Sequence, residues 1–198
     1  MWEGPSGNLA ATLLTTTDKP AAEAAQISFV AALAVFDLAE AYVPRALLSL
    51  KWPNDVLIDG AKVSGVLIES GAGADGLWLA VGIGVNLVAH PEGTERPATH
   101  IGAHLRGDAP APPSFDAALA QLADALERRR AAWDRDGFAP VHAAWTERAD
   151  GLGRPAVARL GHETVHGVAE ALEPDGALRL RLPDGGVRRI TAGDVFAT

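Results

Sequence analysis

The 198-residue chain is 48% hydrophobic with a formal net charge of −8, enough for one ordinary domain plus a small appendage that together bury roughly 70% of the unfolded surface. The negative charge argues against a broad nucleic-acid footprint, which needs clustered Lys and Arg, and the absence of cysteine excludes disulfides and thiolate metal sites. No apolar run reaches the ~18–20 residues of a membrane span, because Glu23, Gln26, Asp37 and Glu40 interrupt residues 21–43; the N-terminus lacks a basic-then-apolar leader, so a cytoplasmic protein with no membrane partner is expected.

Residues 9–16, rich in Thr and Leu, read as a strand. Pro20 then opens a long helix in which Ile27, Val30, Ala31, Ala34, Val35 and Leu38 follow the 3.6 period, ending near Pro44. Residues 47–52, 56–58 and 62–69, separated by Pro53-Asn54-Asp55 and Asp59-Gly60, read as strand, loop and hairpin, and residues 77–88 as another apolar strand. Residues 90–113 are rich in Pro, Gly, Thr and His and exceed the ~12–15 residues of an idle loop, so the stretch is either functional or mobile, and a lid is expected there. Ser114 caps a helix running to about Trp133, and a shorter one covers residues 139–148. Arg128, Arg129 and Arg130 on the first of these read as a solvated face. Beyond Gly151-Leu152-Gly153 the period switches to two, with turns at Asp175-Gly176 and Asp184-Gly185-Gly186, as in a small β-barrel. The fold class expected is α+β, a mixed or antiparallel sheet flanked by helices over residues 1–150, followed by a β-barrel over 151–198.

Two patterns mislead. Gly71-Ala-Gly73-Ala-Asp-Gly76 matches a dinucleotide-binding fingerprint, but that mechanism needs a helix after the glycines, and a strand-like run follows. His162-Glu-Thr-Val-His166 matches a zinc motif that works only on a helix. In a strand the two imidazoles lie about 13 Å apart, so no metal site is expected. His100 and His104 read as loop histidines.

The chemistry concentrates in residues 51–69 and 82–87. The chain holds fourteen Arg but only three Lys, and two of those, Lys51 and Lys62, fall within twelve residues of each other; only three Asn occur, at 8, 54 and 86. A chain that otherwise uses Arg has here placed compact ammonium groups. Two cations, two amides and the Asp55 carboxylate converge on turns between apolar strands, where an anion can be clamped. The same letters also fit an ordinary hairpin with polar turn residues, and Gly65 by itself fits a bulge.

Lys51-Trp52-Pro53-Asn54-Asp55, Lys62, Gly65-Val-Leu-Ile-Glu69 and Gly82-Ile-Gly-Val-Asn86 resemble the core signature of bacterial biotin–protein ligases. Trp2-Glu-Gly-Pro-Ser-Gly-Asn8-Leu9 resembles the segment after that family's Gly/Arg-rich adenylate-binding loop, and Gly153-Arg-Pro155, Asp175-Gly-Ala-Leu178 and Ala192-Gly-Asp-Val195 resemble its SH3-like domain. The resemblance implies a class II aminoacyl-tRNA synthetase-like, biotin/lipoate ligase fold with a C-terminal SH3-like barrel. It implies an enzyme that joins biotin to ATP as biotinoyl-5'-AMP, with Mg²⁺ on the phosphates, and passes biotin to a lysine of a carrier, normally the biotin carboxyl carrier protein of acetyl-CoA carboxylase. Lys62 and Asp55 are the catalytic residues it implies, and Trp2, Asn8, Lys51, Trp52, Asn54, Gly65 and Asn86 the substrate-binding ones, with Gly65 permitting close approach of biotin. A homodimer through exposed sheet edges is compatible with it. The family's N-terminal biotin-contacting segment has no counterpart before Trp2, which implies a core lacking that part of the catalytic domain. The alternative is therefore an impaired core that only binds nucleotide or carrier; lipoate ligase is a more distant alternative.

Overall fold

The computed structural model describes residues 6–74 and 76–197. Two five-stranded sheets organise the chain. The first has the order β1-β5-β4-β3-β2, with β1 at Leu9–Thr17, β2 at Leu48–Lys51, β3 at Asp55–Ile58, β4 at Ala61–Gly73 and β5 at Gly76–Val85, every neighbouring pair antiparallel. The second has the order β10-β6-β7-β8-β9, with β6 at Pro155–Arg159, β7 at Thr164–Leu172, β8 at Leu178–Arg181, β9 at Val187–Ile190 and β10 at Asp194–Ala197, also antiparallel throughout. This is the expected α+β sheet with helices, carrying an SH3-like barrel at its C-terminus.

One face of the first sheet sends Leu9, Val66, Leu79, Val81, Ile83 and Val85 into the core, each almost fully buried. Against them lies α2, Ile27–Glu40, whose residues Ile27 and Phe29 to Phe36 are buried on every side. A helix this apolar all round belongs at the centre of a domain, and its alanines let it approach the sheet closely. α1, Ala21–Ala24, and α2 are two helices where the periodicity predicts one: the turn between them presents Gln26, which donates to the Asp175 carbonyl at 3.3 Å and accepts from the Trp133 indole at 3.4 Å. The stretch Ala21–Glu40 does pass the length and composition test for a membrane span, against the expectation from sequence, but 67% of its most apolar 18-residue window is buried in this core.

α3, Phe115–Asp136, packs on the outer side of α2, its N-terminus capped by Ser114 Oγ, which accepts from the Ala117 amide at 3.3 Å. Arg129 is not the solvated side chain expected. It forks onto Asp37 of α2 at 2.9 and 2.6 Å, a bidentate pair that fixes how the two helices sit. α4, Phe138–Glu147, brings Trp145 and Phe138 edge-on to Phe29, 5.5 and 5.4 Å between centroids.

The lid expected over residues 90–113 is tied down in its middle. Within residues 86–114 the Pro97 carbonyl accepts from the Lys62 amide and the Thr99 amide donates back to the Lys62 carbonyl, both at 2.9 Å, which adds a short extra strand beside β4. Ile101 is fully buried and its amide donates to the Asn86 carbonyl at 3.0 Å. Over residues 97–102 the segment is part of the scaffold.

Candidate functional site

Cross-strand partners share a sheet face, so the register places Lys51, Asp55, Gly65, Gly84 and Ala10 in one row across all five strands. The next row is Leu67, Gly82 and Thr12. One end of the first row is therefore charged and the other is bare backbone. On the face away from the helices this makes a trough of about 510 Å³ with Gly65, Gly82, Gly84 and Ala10 as floor and Asn54, Lys62, Leu67 and Thr12 as walls, within the ~300–1,000 Å³ of small-molecule sites.

Lys62 and Gly65 are three residues apart, and in an even strand they would face opposite sides. The pairing of β3 with β4 slips between Val56 and Leu57: Val56 meets Ser64 and Leu57 meets Lys62, leaving Val63 as the extra residue. That bulge turns Lys62 onto the trough face, a familiar use of bulges beside functional sites. Its Nζ then reaches Asp55 Oδ1 at 2.6 Å, while Lys51 Nζ holds Oδ2 at 2.8 Å. The Asp55 side chain is 8% exposed and Lys62 40%, so the buried carboxylate anchors one ammonium inside and presents the other to the trough. Two cations against one anion leave the end of the trough positive, suited to a carboxylate or phosphate. A Cβ at Gly65 would lie 2.9 Å from Lys62 Nζ and 3.4 Å from Asp55 Oδ1, so a side chain there would push the flexible end of Lys62 out of its place.

The remaining sequence-derived residues divide. Asn54 lines the trough and donates to the Val66 carbonyl, fixing the turn before β3. Asn8 spends its side chain on the backbone after β5: its Oδ1 accepts from the amides of Leu87, Val88 and Ala89 at 2.9, 3.1 and 3.3 Å, and its Nδ2 donates to the Ala89 carbonyl. Asn86 is buried and donates to the Thr99 carbonyl at 2.9 Å. Trp52 is 4% exposed and points to the second sheet, where its indole N–H donates to the Gly176 carbonyl at 2.9 Å. Trp2 lies outside the described residues. Asn8, Asn86 and Trp52 thus act on the scaffold around the trough. Among the described residues no three His, Asp or Glu gather as a metal site; His162 sits in a turn and His166 on β7.

Sequence reasoning missed the floor residue Ala10 and, though it singled out Gly82-Ile-Gly84, gave these glycines no role of their own, although Gly-x-Gly in a strand is the signal of a face stripped of side chains. Arg96, which sequence reasoning did not single out, shares the Phe196 ring with Lys51 at this end of the trough. Burial pulls the Arg96 pKa down, against the opposing pull of Asp194 and Asp55.

Behind the trough, His90 and His100 stack with Nδ1 atoms 2.8 Å apart, and His104 Nε2 meets Thr99 Oγ1 at 2.7 Å. Burial first, then the His90 and His104 charges, hold the His100 pKa below its ordinary 6.5. The unfolded chain therefore takes up this proton first as the pH falls through 6.5, so His100 lowers stability progressively below that value and has no effect above it. In thermal melts between about pH 7.5 and 5.5, His100→Gln should show a shallower loss than the wild type; equal slopes would contradict this.

The Biotin/lipoate A/B protein ligase family model matches residues 1–86 and the Biotin protein ligase C terminal domain model residues 151–197. A biotin–[acetyl-CoA-carboxylase] ligase from Paracoccus denitrificans is 43% identical over 98% of this chain and 82% of its own length. The bifunctional ligase/repressor BirA of Bacillus subtilis is 27% identical over 98% of this chain and 60% of its own length. Two structures of biotin protein ligase from Aquifex aeolicus share the fold. The first superposes with a TM-score of 0.80 at 24% identity, over 97% of this chain and 83% of that one. The second, in complex with biotin and ATP, does so with 0.81 at 22%, over 100% and 82%. With two ligase models fitting its two ends and a ligase matching it nearly end to end, the chain belongs to the biotin/lipoate A/B protein ligase family.

Proposed function

We propose that this chain is the ligase core of an ATP-dependent biotin–protein ligase, with residues 1–150 as the catalytic unit and 151–198 as its SH3-like partner. The observation that carries the reading is the Lys62 ammonium, turned by a bulge to the charged end of a trough whose floor has almost no side chains. Both reactants of the first step are anions. A biotin carboxylate oxygen attacks the α-phosphorus of ATP, the bond from that phosphorus to the oxygen bridging the β-phosphate breaks, and pyrophosphate leaves. Lys62 serves that step by neutralising both partners as they approach, because its three donors can rotate to follow moving charge. The flat Gly65–Gly84–Ala10 floor lets the fused rings lie against backbone.

In the second step the amine of a carrier lysine attacks the mixed anhydride and AMP departs. In this reading Asp55 takes a proton from that lysine once Lys62 swings to the phosphate and frees Oδ1. The carrier is of the biotin carboxyl carrier class, following the name of the Paracoccus relative. Among the described residues there is no place for a resident Mg²⁺, because the carboxylate at the trough is already held by two ammoniums. It would arrive on the nucleotide phosphates, and no step above is routed through it.

The test is biotin-dependent exchange of labelled pyrophosphate into ATP by the 198-residue chain, followed by mass measurement of an apo carrier domain. Exchange and a biotin mass increment support the reading. Nucleotide binding without exchange leaves the chain as a binding module.

A further inference from the structure

Arg96 precedes Pro97, whose carbonyl receives the Lys62 amide, so the backbone that aims the trough's ammonium also carries this arginine. Its guanidinium carbon lies 3.3 Å from the ring centroid of Phe196 on β10. Two further cations attend the same ring, Arg159 at 4.7 Å and Lys51 Nζ at 6.0 Å. Three positive groups around one ring repel one another unless anions are shared among them. Lys51 has Asp55 and Arg159 has Glu95 at 2.6 Å, whereas Arg96 feels its acids only at a distance and has no hydrogen-bonded partner among the described residues. A guanidinium stacked on an aromatic ring uses its face and keeps its in-plane N–H donors available. What results is a braced, partly desolvated fork without an acceptor, beside the positive end of the trough.

We propose that Arg96, braced on Phe196, receives the terminal phosphates of the nucleotide and grips the pyrophosphate leaving group during adenylation. The proposal rests on the ligase reading above and extends it to the seam with the second sheet. As the carboxylate oxygen bonds to the α-phosphorus and the bridging bond to the β-phosphate breaks, one further negative charge accumulates on the departing pyrophosphate, and the Arg96 donors lie ready to meet it. The transfer step contains no pyrophosphate. Arg96 is therefore silent there, and its brace on the second sheet serves the first half-reaction.

The experiment titrates the 198-residue chain with inorganic pyrophosphate and, separately, with AMP. Arg96→Met should weaken pyrophosphate binding on the order of ten- to a hundredfold, the loss of charge-assisted hydrogen bonds, while the AMP affinity and the melting temperature stay unchanged. Arg96→Lys, which keeps charge without the fork, and Phe196→Leu, which keeps the fork without its brace, should fall in between. Equal pyrophosphate affinity in wild type and Arg96→Met overturns the proposal, as does an absence of pyrophosphate binding to the wild type at millimolar concentration. A parallel fall in AMP affinity and melting temperature assigns Arg96 a structural role and overturns it too. Weakened binding of the carrier alone would make the acceptor a protein carboxylate, which likewise overturns it. The exchange assay separates this from the ligase reading: pyrophosphate held through Arg96 without biotin-dependent exchange rejects the ligase and keeps the anion site. Exchange with an unaltered KM for ATP in Arg96→Met does the reverse.

Discussion

Lys62→Ala is expected to slow biotinoyl-adenylate formation on the order of 10²–10³-fold, the cost of removing a preorganised group that meets charge developing in a transition state. The structure separates this loss from any loss of fold. Asp55 keeps Lys51 at 2.8 Å when Lys62 is gone, and Lys62, 40% exposed, contributes as an ordinary surface cation, about 0–1 kcal/mol. The exchange rate should therefore collapse while the melting temperature hardly moves. An exchange rate within threefold of wild type, or a large drop in melting temperature, would remove Lys62 from the centre of the chemistry.

Asp55→Ala, unlike Lys62→Ala, should also unfold the protein more easily. Its carboxylate is 8% exposed and holds two ammonium groups, one of them, Lys51, with a side chain only 13% exposed. Removing one partner of a buried pair leaves an uncompensated charge, typically costing 3–5 kcal/mol. The lower end applies, about 3 kcal/mol, because Lys62 can turn to solvent and only Lys51 is stranded. For a chain of this size that is a fall of roughly 6–12 °C in melting temperature. Asp55→Asn should lose less, since an amide oxygen still accepts from one lysine. Melting temperatures of both variants within about 2 °C of wild type would mean that Lys51 finds another acceptor or that the pair contributes little net stability.

Much of the fold could be read from periodicity, and the two false motifs show why the reading succeeded. Gly71 is glycine because a Cβ there would sit 2.6 Å from the Trp78 ring across the hairpin, and Gly76 because its φ of +107° turns the chain; neither cradles a phosphate. Local sequence could not show the slip in strand pairing at Val56 and Leu57. Alternation assigns Lys62 and Gly65 to opposite faces until one extra residue is known to bulge out. The asparagines show a second limit. Asn8 meets backbone about eighty residues away, so its amide looks available in sequence and is spent in the fold. Arg129 and the segment around Thr99 escaped sequence reasoning for the same reason, because their partners, Asp37 and Lys62, lie on elements distant in sequence.

The contact between Trp52 and Gly176 constrains how such a protein can be assembled from parts. The indole crosses from the turn beside Asp55 to a carbonyl in the turn between β7 and β8, and a Cβ on Gly176, at φ +97°, would press to 2.9 Å from Phe29 of the central helix. A C-terminal sheet grafted from a relative would have to bring both this left-handed turn and a carbonyl at the same height, or leave a buried indole N–H without an acceptor a few residues from the reacting centre. The two halves are thus not interchangeable cassettes: a hybrid with a mismatched turn would leave a buried donor unpaired, at a cost of about 1–3 kcal/mol of stability.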